Sequence, residues 1–388
     1  MRMSACRSES SEYSADVKLR LLALTLALSL VPSALAAGPS VDARAYLVED
    51  GRTGEVLLAQ NPARQVPIAS LTKLMTVLLT LEHTQPTDRV TISPEAAAVG
   101  ESSVRLRAGE QLTVRDLLEA ALIQSANDAA WALAEHVGGG SEERFVFMMN
   151  RRARQLGLAD THFVRPDGLD AAGHVSSARD ITMLARILMK RPIVRQIVAM
   201  RDATIAGGRS LHTWNDLLGS FPGLIGVKTG HTTAAGWSEV AAARGPGVTV
   251  YATVIGSPGR SARNADLVEL LTWALGRFRV VPVVSATHVY ARVETSYGKG
   301  ELELVAPRSL PQAVLVNRPL VERVIAPTGV ELPVDKGQEV GEVRVYDRGR
   351  LLARSPLVAS RSIGDPGAIA RTGWYIGRTA HNMWGWVT

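Results

Sequence analysis

The stretch from Ser70 to about Glu82, "SLTKLMTVLLTLE", is apolar on nearly every side. A helix with one apolar stripe lies on a surface, whereas one that is apolar all round has to be covered from every direction. The segment therefore predicts a helix buried through the middle of a domain. Such burial takes a long chain, and 388 residues with 46% hydrophobic content are enough for two domains and a sizeable core. Ser70 follows Pro67, and serine is a favoured cap, so the helix is expected to start there. Lys73 is out of keeping with the segment. Only six of the 43 basic residues are lysine. Arginine never gives up its proton in a protein but a partly buried lysine does, so a position that needs a base as well as a cation keeps lysine.

The layers around this helix are legible from patterning. "RAYLVEDGRTGEVLLAQN" reads as two strands around a turn at Asp50-Gly51. Residues 112–137 carry helical periodicity on both sides of Ser125, ended by Gly138-Gly139-Gly140, and residues 142–156 and 177–190 read as further helices. The turn-rich "VRPDGLDAAGHVSS" separates the last two. "GVKTGHT", "GWSEVAAAR" and "VTVYATVIG" look like adjacent strands, and a helix from about Ala262 to Gly276 closes the unit. Strands, then helices, then strands and a helix indicate an α/β domain whose sheet is interrupted by a helical insertion. Beyond Pro282, residues 283–358 alternate apolar and polar and are broken by Gly and Pro, as in a small all-β domain.

Both ends carry targeting signals. Lys18 and Arg20, the apolar run "LLALTLALSLV" and Ala34-Leu35-Ala36 form a secretory signal expected to be cleaved after Ala36. The only cysteine, Cys6, lies upstream of that point, so the exported chain has no disulfide, thiol nucleophile or zinc–thiolate site. In the tail, residues 359–388, Ile369, Ile376, Ala380, Met383 and Val387 share a helical seam, with Trp374, Tyr375, Trp384 and Trp386 beside it and Arg371 and Arg378 opposite. That pattern suits a helix lying in a membrane interface; Gly373, Gly377 and Gly385 also suit a helix docked on the β domain. The net charge of +6 favours an acidic partner, but no long Lys/Arg run concentrates it, which argues against nucleic acid. The expected division is 1–36 leader, 37–282 catalytic domain, 283–358 β domain and 359–388 tail.

Three short clusters carry chemistry. Ser70 and Lys73, at i and i+3 on a helix, share a face. Ser125-Ala126-Asn127 sits between helical stretches, where a hydroxyl can relay a proton and an amide can hold a peptide backbone. Lys228-Thr229-Gly230, followed by His231, lies on a strand expected at an accessible edge; lysine and threonine there can bind a carboxylate, and glycine lets a substrate backbone come close. Each cluster alone is commonplace, but together and in this order they are the set described for penicillin-recognising serine enzymes.

Within that superfamily the chain resembles the D-alanyl-D-alanine carboxypeptidases of the low-molecular-mass penicillin-binding proteins, on "PIASLTKLMT", "LIQSANDAA", "PDGLDAAGHVSSARD" and "GVKTGHTTAAGW" over roughly residues 40–358. The resemblance implies a DD-peptidase/β-lactamase-like antiparallel sheet flanked by helices. It implies Ser70 as acylated nucleophile, Lys73 as its base, Ser125 as proton shuttle, and Asn127, Lys228, Thr229 and Gly230 as substrate-binding residues. The backbone N–H groups of Ser70 and His231 would form the oxyanion hole. Peptidoglycan stem peptides would be the substrate, β-lactams the inhibitors, the outer face of the cytoplasmic membrane the location, and no cofactor would be needed. One departure is "HTWNDLL", which puts Trp214 where a polar or basic residue is frequent.

Three other readings share the motifs. A β-lactamase needs a group to activate the deacylating water, usually a glutamate after the second motif, and "RPDGLDAAGHVSS" has none; Asp167 and Asp170 read as turn residues beside Gly168. An endopeptidase uses the same acyl chemistry on cross-links. A non-catalytic cell-wall binding protein would have little use for the full chemical set. Metal-ligand spacings and a phosphate-binding glycine loop are missing, and His162, His174 and His212 read as surface or structural residues.

Overall fold

The computed structural model describes residues 38–384, and the secretory signal and Cys6 lie outside them. From Ser40 onward the chain forms one compact body. Its frame is an antiparallel sheet of β1 (Ala45–Asp50), β2 (Val56–Gln60), β3 (Leu224–Thr232), β4 (Gly236–Gly245) and β5 (Val248–Ser257). The order is β2-β1-β5-β4-β3, which leaves β3 at an edge. The chain quits the sheet after Gln60 and returns at Leu224, so the intervening residues form the helical insertion.

Alternation of side chains along the strands gives the sheet two apolar faces. Leu47, Val240, Ala242 and Ile255 meet the helical insertion. Val48, Ala241, Ala243, Val250 and Val254 meet α7 (Arg260–Gly276) through Leu267, Leu270, Leu271 and Ala274. The insertion contains α1 (Lys73–His83), α2 (Val114–Glu119), α3 (Asn127–Val137), α4 (Glu142–Leu156), α5 (Ala178–Leu188) and α6 (Pro192–Val198). Every residue of α1 from Lys73 to Thr80 is buried. That is the outcome its unbroken apolar run demands, and it makes α1 the axis of the domain.

Two local expectations are corrected. Ser70 does not cap α1: it lies within a 3₁₀ turn, Ala69–Thr72, that precedes the helix, and no side chain caps that turn. Ala69 takes a left-handed φ of +48°, so the chain bends sharply just before the serine. The periodic segment around Ser125 is not plain helix either. Residues 111–113 are strand, Ala120–Gln124 widen into a π-turn, and Ser125 is left-handed at φ +63°. A π-turn adds a residue to the helical circuit, and here it throws Ser125 out of the helix wall.

The second half is all β. Strands β6 (Phe278–Val284) and β9 (Leu310–Leu315) pair with each other. A six-stranded sheet comprises β7 (Val289–Thr295), β8 (Glu301–Val305), β10 (Val321–Ile325), β11 (Gly329–Val330), β12 (Glu339–Asp347) and β13 (Arg350–Ala359), in the order β10-β12-β13-β8-β7-β11. Its core gathers Val284, Val293, Leu302, Leu304, Val343 and Leu357. Arg318 spans the two halves, bonding Glu55 at 2.6 Å and Asp347 at 3.2 Å. The tail forms α8 (Gly367–Trp384).

Candidate active site

The first cluster assembles at the junction of the 3₁₀ turn and α1. Because the serine hydroxyl is not spent on capping, it is free to meet the lysine one turn on: Lys73 Nζ donates to Ser70 Oγ at 2.9 Å. The same nitrogen donates to Asn127 Oδ1 and to the Asp167 carbonyl, each at 2.7 Å. Lys73 is fully buried, and that burial pulls its pKa down to about 8 against the opposing pull of the Asp167 and Asp128 carboxylates.

The left-handed turn at Ser125 aims its hydroxyl across the cleft, where Lys228 Nζ donates to it at 2.8 Å. Lys228 also donates to the carbonyl of Thr229 at 2.8 Å. It too is buried, and desolvation together with the charge of Lys73 pushes its pKa well below the ordinary lysine range. Asn127 is engaged at both ends of its amide, since Nδ2 donates to the Gly100 carbonyl at 3.1 Å.

Gly230 also has a packing role. A Cβ there would lie 3.1 Å from both Ser70 N and the Ile68 carbonyl, so glycine is what allows β3 to press against the turn bearing Ser70. The peptide groups on either side of the cleft are thereby brought together. Gly168 does the same for the loop after α4: at φ +88°, a Cβ would fall 2.0 Å from the Ala69 carbonyl.

A pocket of 240 Å³ opens at this junction, lined by Ser70, Ser125, Thr229, Gly230 and His231, and further out by Ser102, Trp214, Trp237 and Arg263. The structure thus brings every sequence-predicted site residue to one cleft, with Asn127, Lys73 and Lys228 behind its surface. Several neighbours had no signal in the sequence. Asp167 is not simply a turn residue. It is fully buried, and although burial alone would raise its pKa, the hydrogen bonds from Arg165 and the charge of Lys73 hold it below the usual carboxylate range. Asp170 accepts from Thr232 Oγ1 at 2.6 Å, tying that loop to the end of β3. Ser102 donates to the Gln124 carbonyl at 3.0 Å. His174 is structural, as expected, and buried against Thr72 at 2.7 Å; burial lowers its pKa to about 4.

Behind the strand lies a second charged set. Arg263 of α7 is almost wholly buried, with its Nε 3.2 Å from Glu239 and its Nη2 3.1 Å from Asp216. Glu239, opposite Thr229 in the β3–β4 register, accepts no hydrogen bond among the described residues. Burial drives its pKa up to about 7. A lone arginine or glutamate in an apolar pattern gives no hint that the two will meet.

Residues 33–259 match the family described as D-alanyl-D-alanine carboxypeptidase, and residues 278–365 match the C-terminal domain of penicillin-binding protein 5. The chain is 32% identical over 343 residues to the D-alanyl-D-alanine carboxypeptidase DacF of Bacillus subtilis, covering 84% of this chain and 87% of that protein. It is 34% identical over 299 residues to a D-alanyl-D-alanine endopeptidase of Pseudomonas aeruginosa, covering 69% and 93%. The solved penicillin binding protein 5 of Haemophilus influenzae superposes with a TM-score of 0.62 at 30% identity, over 85% of this chain and 99% of that one. The chain therefore belongs to the D-alanyl-D-alanine carboxypeptidase family of penicillin-binding serine peptidases.

Proposed function

We propose that the protein removes the terminal D-alanine from peptidoglycan stem pentapeptides through an acyl-enzyme on Ser70, and that penicillins acylate the same serine. The observation that carries this reading is the pair of buried lysine–serine contacts in one cleft, Lys73 to Ser70 at 2.9 Å and Lys228 to Ser125 at 2.8 Å.

The steps follow from the protonation states. With the Lys73 amine neutral, its two hydrogens go to Asn127 and the Asp167 carbonyl. Its lone pair then faces Ser70, whose hydroxyl donates to it. Lys73 takes that proton as Ser70 Oγ bonds the carbonyl carbon of the penultimate D-alanine. Charge develops on the carbonyl oxygen, to be met by the N–H groups of Ser70 and His231, worth about 3 kcal/mol per donor in comparable sites. Ser125 relays to the departing amine the proton that Lys73 took up, so the C–N bond breaks with Lys73 neutral again, while Lys228 and Thr229 hold the leaving residue's carboxylate. Asn127 positions Lys73, itself held by the bond from its Nδ2 to the Gly100 carbonyl. Water then attacks the ester, giving a proton to Lys73, which passes it to Ser70 Oγ as the acyl–oxygen bond breaks and the shortened peptide leaves.

The place of action is the outer face of the cytoplasmic membrane, reached by export and held by the tail. Ile369 and Ile376 of α8 point outward, 92% and 66% exposed, while Trp374 and Arg371 lean on Tyr297 of the β domain. Among the described residues no helix is long and apolar enough to cross a membrane, so the tail would lie in the interface. Flotation with anionic vesicles, with and without residues 361–388, tests this; equal binding refutes it.

Mass spectrometry of the protein after brief penicillin exposure should show one covalent adduct, lost in Ser70→Ala, and a pentapeptide should yield free D-alanine. An adduct without D-alanine release would remove the carboxypeptidase reading. The similarity to a D-alanyl-D-alanine endopeptidase makes cleavage of cross-linked dimers the second activity to assay.

A further inference from the structure

The outer end of the cleft is closed by a stack whose parts come from four segments. Trp214, in the connection before β3, donates its indole N–H to the Gln124 carbonyl at 3.0 Å, reaching the π-turn that carries Ser125. The Arg260 guanidinium lies 5.5 Å from the Trp214 ring and 6.0 Å from that of Trp237, close enough to both for cation–π attraction. Asp216 grips Arg260 with both carboxylate oxygens, its Oδ2 accepting from Arg260 Nε at 2.7 Å and from Asn264 at 2.9 Å. Trp237 stacks on the His231 ring at 4.1 Å. Trp214 and Trp237 line the pocket, and Arg260 stands behind them.

From this we infer that Trp214 and Trp237, braced by Arg260, form the specificity wall of the subsite for the leaving residue, admitting a short apolar side chain and turning away a long one. The inference rests on the reading that Lys228 and Thr229 hold that residue's carboxylate. With the carboxylate there and the scissile carbonyl at Ser70, the leaving side chain meets the rest of the lining, in which Trp214 and Trp237 are the apolar members beside Ser102, His231 and Arg263. Indoles offer apolar surface, which suits a methyl group. Asp216 is shared by Arg260 and by Arg263, which itself lines the pocket and has Glu239 as its second partner. The wall cannot easily retreat, because Trp214 is pinned at its nitrogen and stacked on a side chain that is itself fixed. A cross-linked dimer is the biological case of a bulky leaving group, since its leaving residue continues into a second stem peptide. The wall would therefore bias the site toward trimming over cross-link cleavage, a bias held in part by a residue, Trp214, outside the three motifs.

The test is a ratio: kcat/KM for release of C-terminal D-alanine against that for D-leucine, and against cleavage of a cross-linked dimer, in the full chain. The wild type should favour D-alanine over both by at least tenfold. Trp214→Ala should shrink each ratio by about tenfold, Arg260→Ala by a smaller factor, and Trp214→Phe should restore most of the preference. Unchanged ratios in Trp214→Ala and Arg260→Ala, or a wild type that takes D-leucine as readily as D-alanine, would overturn the wall. Should Trp214→Ala prove unfolded, Arg260→Ala carries the test, because Arg260 does not line the pocket. A wild type acylated by penicillin that releases no C-terminal residue of any kind would instead sink the carboxypeptidase reading itself.

Discussion

The two sides of the cleft solve the same problem with different surroundings. On the helical side a buried lysine meets Ser70; on the strand side a buried lysine meets Ser125. Both lose their hydration, but Lys73 has the carboxylates of Asp167, Asp128 and Glu101 supporting its charge against Arg165, whereas Lys228 has Lys73 and Arg263 pressing against its charge and only Glu239 supporting it. Desolvation sets the direction of both shifts, and the neighbouring charges set how far each goes. The helical side ends near 8, where an amine passes easily between base and acid, the range a general base at work near neutrality needs. On the proposed role of Lys228, a carboxylate arriving on the strand side would supply the negative charge that Lys228 lacks, so substrate binding would itself favour the ammonium form there.

The largest break in this comparison comes from removing chemistry on the helical side. Ser70→Ala should abolish the penicillin adduct seen by mass spectrometry. Lys73→Arg keeps the charge but not the base, and should slow acylation by about 10²- to 10⁴-fold in stopped-flow measurements. The strand side should answer differently: Thr229→Val removes a hydrogen bond to a charged group, about 1.5–3 kcal/mol, and should raise KM roughly 10- to 100-fold while moving kcat less.

The pH dependence sharpens the contrast. Acylation requires neutral Lys73, so its second-order rate constant should rise with pH along a limb centred near 8. Asp167→Asn removes a charge that favours the ammonium form, so its limb should move to lower pH. A limb that stays put would mean that Asp167 does not set the amine's protonation. The smallest effect concerns Glu239. Its carboxyl keeps a proton up to about 7 in the folded protein but loses it near its ordinary value of 4.5 when unfolded. Between these values the folded state binds more protons, so this residue's contribution to stability falls as pH rises through that window. Glu239→Gln lacks the penalty, and denaturant titrations should show the variant gaining on the wild type by about 1–3 kcal/mol from pH 5 to pH 8. A constant gap would show that Arg263 holds Glu239 ionised throughout.

What was legible in the chain was what repeats locally. Unbroken apolarity marked α1 as buried, alternation marked the strands, and Ser70–Lys73 could be paired because three residues make nearly one helical turn. Errors arose where one residue's backbone departs from its neighbours, as at Ala69 and Ser125, since a single left-handed φ leaves no periodic trace. Gly230 was placed in the site from its motif, but its packing against the Ser70 turn left no trace there, because that turn lies about 160 positions away in the chain.

The sequence by itself determined the order of elements, the three polar clusters and the family, because short-range spacing and composition encode these directly. Only the tertiary structure decided that Asp167 would stand behind the base, that Arg263 and Glu239 would meet beneath the strand, and that Trp214 would close the pocket on Arg260. Those contacts join residues that are distant in the chain through burial and charge, and their energies exist only once folding has removed the water between them.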